Sequence, residues 1–435
     1  MSIKTGDVFG VAESVRASTY VDRGGLDEEL LRMIERNQQH VTIHGPSKCG
    51  KSWLRQHVLN NPLVVQCLPG RSYKNIYIDA LSQLGISVCA HNTQATETKG
   101  CLEASTNLGS GFLGKIGLSG RVDATSTDSC QMIPIGQDPD DISFFAKILL
   151  ESKRKLVVED FHYMSEKDRE AFAYDLKALW DCGVRLVVIG IWPEVSLLTF
   201  LNHDLAGRVH DISVEWKKDE LAHILDSGGD SLNIVFGDKV KSRLCENAYS
   251  NAGLLQALAL GTLDQMGIYE KEKKPTFVND VSSVEDASML YAEQLRGFYQ
   301  TFSERMAKGI RCRKRGTDIY AHTMAALLDH GWSDEDLIRG ITVDQIFEIA
   351  HARQPRIQKV NMITILQHIP RMQLDEKGNG LIINYDTATN KVFVVNRELL
   401  FYRKYVTINW PWEDLIQESE LDSRAMIALS SEDLE

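Results

Sequence analysis

Residues 41–52 read Val-Thr-Ile-His-Gly-Pro-Ser-Lys-Cys-Gly-Lys-Ser, a short apolar run followed by G-x-x-x-x-G-K-S. A loop with this spacing turns sharply out of a strand and into a helix, so it commits the surrounding chain to an α/β unit. Gly45 and Gly50 let backbone N–H groups curl around a chain of phosphates where a side chain would clash. Pro46, Ser47, Lys48 and Cys49 form the tip of the loop between them. Lys51 has the length to reach β- and γ-phosphates, and the Ser52 hydroxyl suits Mg²⁺. The helix that starts at Lys51 and carries Trp53 in its first turn adds its positive dipole end. The ligand expected from this chemistry is a nucleoside triphosphate, ATP, bound with Mg²⁺.

The 435 residues suffice for two or three domains with substantial cores. A hydrophobic fraction of 43% and a formal net charge of −12 suit a soluble globular protein and disfavour non-specific coating of nucleic acid. No run approaches the apolar length of a membrane span, and the N-terminal residues lack a secretory h-region, so a cytoplasmic protein is expected. Cysteines at 49, 67, 89, 101, 130, 182, 245 and 312 form no C-x-x-C pair, which leaves zinc-ribbon and redox motifs unsupported.

An alternation of strands and helices runs from the loop to about residue 212 and predicts a mostly parallel sheet with helices on both faces. Its strands fall at 63–67, 155–158 and 185–191, and its helices at 26–37, 75–84, 141–152 and 166–182. A Gly/Ser/Thr/Asn-rich stretch, about 91–131, interrupts the pattern as a hairpin insertion or loop. Residues 213–268 read as helical with no strong strand, followed by a charged linker and long helix over 269–310. In 311–435, helical patterns at 319–330, 334–350 and 356–372 precede strands at 381–385 and 391–395 around a five-residue turn. This helix-helix-helix-strand-strand order is that of a winged helix, with an acidic tail after Trp412. Trp410 and Trp412 read as packing that tail onto the domain.

Phosphate-loop chemistry also needs carboxylates at the end of a neighbouring strand, to hold Mg²⁺ and to orient attacking water. Leu156-Val157-Val158 runs directly into Glu159-Asp160-Phe161-His162. His162 either touches a nucleotide-sensing network or caps local structure.

With these motifs in order, the chain resembles the AAA+/STAND P-loop ATPases, in the origin-recognition and transposition-regulator-like branch. Tyr20-Val21-Asp22-Arg23 resembles the box that lines the adenine pocket, and Leu156 to His162 resembles the Walker B strand. Val188 to Glu194 resembles the sensor-1 strand end, Asp204 to Val209 the box bearing an arginine finger at Arg208, and Asn251 to Leu258 the helical lid. The resemblance spans about residues 18–265 and implies an α/β P-loop NTPase core with a helical lid; a C-terminal winged-helix domain is common in this branch. It implies catalytic roles for Asp160, Glu159 and Arg208, metal ligation by Ser52, Glu159 and Asp160, and nucleotide contacts from Tyr20, Val21, Trp53 and the loop.

The departures point to slow turnover. Glu159-Asp160 inverts the usual D-E order, so either Asp160 activates water with shortened reach or it serves the metal and the base is absent. Ile191 or Trp192 stands where a polar residue would touch the γ-phosphate, and Leu254-Leu255 replaces an arginine or proline in the lid. The expected function is an ATP-binding, slowly hydrolysing switch that forms homo-oligomers through Arg208 and controls a separate effector protein. The resemblance adds bacterial anti-phage defence as a setting. The alternative is an ATP-dependent DNA-binding initiator or transposition-type regulator. Its DNA contacts would come from Lys308, Arg311, Arg313, Lys314, Arg315, Arg353, Arg356, Lys359 and Arg371. No membrane partner is expected.

Overall fold

The computed structural model describes residues 2–90, 100–104, 141–192, 197–309, 318–328, 331–373, 380–387, 389–406 and 410–417. The chain divides into two compact units. The first is Asp22–Gly45 with Gly50–Val214, and the second is Met1–Val21 with Pro46–Cys49 and Glu215–Glu435. The division cuts the phosphate loop itself. Its tip clusters with the second unit and its flanks with the first.

In the first unit, strands β1 (His40–His44) and β2 (Leu63–Gln66) are followed by an antiparallel pair, β3 (Ile86–Ala90) and β4 (Gly100–Ala104). Strands β5 (Leu156–Glu159), β6 (Val187–Gly190) and β7 (Val209–Ser213) complete a five-stranded parallel sheet of order β2-β5-β6-β1-β7. The three central strands are buried along their whole length, whereas β2 and β7 at the edges are partly exposed. Continuous apolar runs fit central strands of a sheet covered on both faces. The crossover helices Ile142–Ser152 and Glu166–Asp181 start at Asp141 and Ser165, whose side chains accept from the N–H groups of Ser143 (2.9 Å) and Asp168 (3.1 Å). Phe145, Phe161, Phe172, Leu176 and Trp192 pack into one core cluster.

One expectation needs correction here. The carboxylate strand β5 does not neighbour the loop strand β1, because β6 lies between them. Parallel strands need a crossover rather than a hairpin, so chain order does not set which strands become neighbours.

The second unit contains helices Lys218–Leu232, Asp238–Asn247, Ala252–Gln265 and Val281–Lys308. Strand β8 (Ile234–Phe236) pairs in parallel with β9 (Thr276–Val278), although no strand was expected over 213–268. At three residues each, these strands are too short to show a period. Helices Ile319–Leu328, Asp334–Arg339, Val343–Arg353 and Lys359–Gln373 come next. A sheet of β10 (Ile341–Thr342), β11 (Ile383–Asp386) and β12 (Lys391–Val394) is antiparallel, in the order β10-β12-β11.

The single helix expected at 334–350 is two. Gly340 sits at φ +87°, where a Cβ would lie 2.5 Å from Phe393, and Thr342 restarts the helix in a capping box with Gln345. Trp410 and Trp412 stack at 4.6 Å and are buried, as expected of residues that pack the tail. Residues 91–99 and 105–140, Arg311, Arg313, Lys314, Arg315 and residues 418–435 lie outside the described residues, as does the side chain of Arg371. No helix among the described residues is long and apolar enough to cross a membrane.

Candidate nucleotide site

The loop conformation follows from its glycines. Gly45 has φ +148° and Gly50, which caps the helix Lys51–Val58, has φ +89°. Lys48 adopts φ +57°, a left-handed conformation costly for a residue with a Cβ and common where a loop is held from outside. Lys51 Nζ donates to the Gly45 carbonyl at 3.1 Å, folded back over its own loop. Ser52 is exposed on the first turn of the helix, and Trp53 is half-buried.

The holding groups come from the second unit, to which the tip belongs. Asn251 Nδ2 donates to the Ser47 carbonyl (3.1 Å), the Gly253 N–H to that of Lys48 (3.1 Å) and Trp216 Nε1 to that of Cys49 (2.8 Å). In a trans peptide the C=O and the next N–H point in opposite directions. Fixing these carbonyls therefore turns the amides of Lys48, Cys49 and Gly50 away from the donors. The turn of the loop tip is thus set by residues about 170–200 positions downstream. A Cβ on Gly253 would lie 3.0 Å from Lys48 Cβ, which accounts for the glycine.

Lys48 Nζ in turn donates to both oxygens of Glu398 (2.9 and 2.8 Å), and the Tyr291 hydroxyl donates to the same carboxylate (2.6 Å). Glu398 is buried while Lys48 is 41% exposed. Spacing in the sequence does not point to Glu398, Tyr291 or Trp216. Asn251 and Gly253 fall in the stretch that resembles a lid, but no loop-holding role was read for them.

The two carboxylates of the first unit have different surroundings. Glu159 ends β5, is buried, and is paired with Arg55 of the post-loop helix at 3.2 Å. Asp160 follows at φ +58° in the left-handed region. Burial, then the adjacent Glu159 charge, push its carboxyl up to about 6, against the lowering effect of Lys51. A carboxylate titrating just below neutrality suits a general base, whereas Glu159 is engaged by an arginine. The two carboxylates thus differ: Glu159 is paired with an arginine, and Asp160 has its pKa raised by burial.

At the end of β6 the side chains are apolar or aromatic. Trp192 is buried, stacks on His44 at 5.6 Å and meets Phe161 edge-on at 6.2 Å. His162, in the turn Phe161–Tyr163, accepts at Nδ1 from the Ile191 N–H (3.2 Å). Arg23, absent from the expected site, is buried, and a Cβ on Gly50 would lie 3.4 Å from its guanidinium. Tyr20 and Val21 belong to the second unit and are half-buried.

Arg208 lies over the Trp180 ring (4.8 Å) and donates to the Asp204 carbonyl. Its own carbonyl accepts from the His40 N–H at the start of β1. The phosphate loop leaves the other end of that strand, about 16 Å away at ~3.3 Å per residue. Arg208 thus stands at the opposite edge of the sheet from its own chain's loop.

Within the first unit, Lys51, the Ser52 hydroxyl and the carboxylates Glu159 and Asp160 are the group types that a triphosphate with Mg²⁺ needs. Among the described residues no group of three or more His, Cys, Asp or Glu side chains is placed to hold a metal.

No protein-family profile and no curated protein matches the sequence. Among solved structures the chain is similar to Aeropyrum pernix Orc1 in complex with DNA, at 11% identity, TM-score 0.39, covering 94% of this chain and 95% of that one. It is also similar to Pyrobaculum aerophilum Cdc6p at 12% identity and TM-score 0.37, covering 94% and 99%. A Pyrococcus horikoshii STAND protein with a tetratricopeptide repeat sensor follows at 11% and 0.35, covering 96% of this chain and 46% of that one. Likeness at this level carries no argument about activity or ligand. By its loop, its parallel sheet and the carboxylates at the sheet's C-terminal edge, the core is an α/β P-loop NTPase fold that resembles the AAA+/STAND ATPases.

Proposed function

We propose that the chain is an ATP-binding, slowly hydrolysing regulatory switch that assembles with copies of itself and controls a separate effector protein, in a cytoplasmic setting such as bacterial anti-phage defence. The observation that carries this reading is the tip of the phosphate loop: its carbonyls are held by Asn251, Gly253 and Trp216, and its lysine by Glu398. A loop tip held this way gives nucleotide binding a set of contacts to make or break. Phosphate oxygens arriving at the loop compete with Glu398 for Lys48, so binding differs between a latched and an unlatched state, as a population shift requires.

Turnover would be slow for two reasons. Asp160 takes the proton of the attacking water with a side chain one methylene shorter than glutamate. Ile191 offers no polar side chain to the terminal phosphate. Bound Mg²⁺ would neutralise phosphate charge, held on this chain by Ser52 and a carboxylate. Arg208, remote from its own loop, completes the site of a neighbouring copy.

Light scattering after size exclusion should show ATP-dependent assembly in the full chain and none in Lys51→Ala, which should also lose ATP binding in calorimetry. Retained tight binding in Lys51→Ala would refute the loop assignment. Mixing Arg208→Ala with Lys51→Ala subunits should partly restore hydrolysis. Co-assembly without recovery would remove the role in trans.

A second reading, an ATP-dependent DNA-binding regulator, takes the helices and antiparallel strands over 319–394 as a winged-helix-like module with one additional helix. Two of its basic residues are already engaged: Arg353 pairs with Glu413 (3.2 Å) and Lys359 with Asp344. ATP-dependent duplex binding that weakens steeply with salt would favour it over the first reading.

A further inference from the structure

His162 has one ring nitrogen committed and the other not. The Ile191 N–H donates to Nδ1 at 3.2 Å, so the neutral ring must carry its hydrogen on Nε2. Nε2 is buried and meets no hydrogen-bond acceptor among the described residues. A buried N–H with no acceptor is costly and rare, so an arriving acceptor would be favoured there.

The position indicates which partner. His162 follows the Glu159-Asp160 pair by two residues, at the C-terminal edge of the sheet from which the phosphate loop also leaves. At the end of β6 the Ile191 side chain is apolar, but its backbone N–H is the group that orients His162. Gly190 makes room: a Cβ there would lie 2.4 Å from the Trp192 ring and 3.4 Å from the His162 backbone nitrogen.

We propose that His162 reads the terminal phosphate, donating Nε2–H to a γ-phosphate oxygen and transmitting its presence to the end of β6 through the Ile191 N–H. The histidine thereby supplies from β5 the polar contact that the side chains of β6 lack. This rests on the nucleotide-binding reading above. It makes His162 a residue that discriminates triphosphate from diphosphate.

The test is calorimetric binding of ADP and of a non-hydrolysable ATP analogue, each with Mg²⁺, to the full-length chain. His162→Phe, which keeps the ring and removes the donor, should weaken the analogue about tenfold, the scale of one hydrogen bond to a charged oxygen. ADP affinity should stay within about twofold, and thermal stability without nucleotide should not fall. His162→Gln, which restores an N–H donor, should recover much of the analogue's affinity. An equal loss for ADP and the analogue, or no loss for either, would overturn the role. Should His162→Phe fail to fold, the preference of His162→Gln for the analogue over ADP decides alone, and its complete loss counts against the proposal. If the unaltered chain binds neither nucleotide, the underlying nucleotide reading fails, and that outcome is distinct from a selective failure of His162.

Discussion

Asp160→Asn is expected to lower ATP turnover by at least about a hundredfold, the usual contribution of a positioned base, while making the protein more stable at neutral pH. The two effects share one cause. The native carboxyl titrates near 6 rather than at its ordinary 3.8, chiefly because it is buried and next because Glu159 is adjacent. A folded-state pKa raised above the unfolded one favours the native state fully below about pH 4, and that advantage is lost as pH rises through 6. At pH 7–8 the native protein therefore carries the whole cost of a desolvated carboxylate, on the order of 2 kcal/mol once partial solvent access is allowed for.

Asparagine removes the charge at every pH and accepts the left-handed backbone that this position requires. The difference in unfolding midpoint between Asp160→Asn and the parent should then be small at pH 4 and grow to roughly 4–8 °C at pH 7.5. Thermal melts at both pH values, together with steady-state phosphate release, check the two halves. A pH-independent difference would remove the electrostatic account, and unchanged turnover would return the base to Glu159. Glu159→Gln should behave differently. It leaves Arg55, now 13% exposed, beside a neutral amide instead of its ion-pair partner, so this substitution should destabilise.

Much of the core was legible because its signals are local. The loop needs glycine at two positions, and the central strands β1 and β5 are buried runs that end where the chemistry begins. The roles of Glu159 and Asp160 were not legible, since sequence order left both assignments open. What separates them is a distant partner: Arg55 stands 104 residues from Glu159. The latch lay further out of reach, with 350 residues between Lys48 and Glu398, and a glutamate after an arginine reads as an ordinary surface residue. Strands β8 and β9 escaped because a three-residue strand has no period to detect, and the helix break at Gly340 because one glycine in an otherwise helical pattern is tolerated until a side chain such as Phe393 fills its space. Local patterning gives elements and loops, whereas the pairing of buried charges depends on tertiary packing.

That pairing sets the other large effect. Glu398 is nearly inaccessible, and its carboxylate is held by Lys48 and the Tyr291 hydroxyl. Burial, and then that carboxylate, push the Tyr291 phenol well above its usual range, so it remains a donor at any working pH. Glu398→Gln keeps the shape and the tyrosine contact but releases Lys48 from its ion pair. If the pair latches the loop, ATP-dependent assembly should occur at about tenfold lower ATP in this variant, the effect of removing a coupling near 1.4 kcal/mol. Lys48→Met does the reverse. It leaves a buried carboxylate without its cation and should destabilise the nucleotide-free chain by roughly 1–3 kcal/mol, less than for a fully buried pair because the lysine is part-exposed. Combining Lys48→Met with Glu398→Gln should restore much of that stability, since the unpaired charge is gone, and the double-mutant cycle isolates the pair from the loop's other contacts. Denaturant melts and light scattering over an ATP titration read the two quantities separately. A Glu398→Gln variant that is less stable yet assembles at the parent's ATP concentration would make the pair a structural contact rather than a latch.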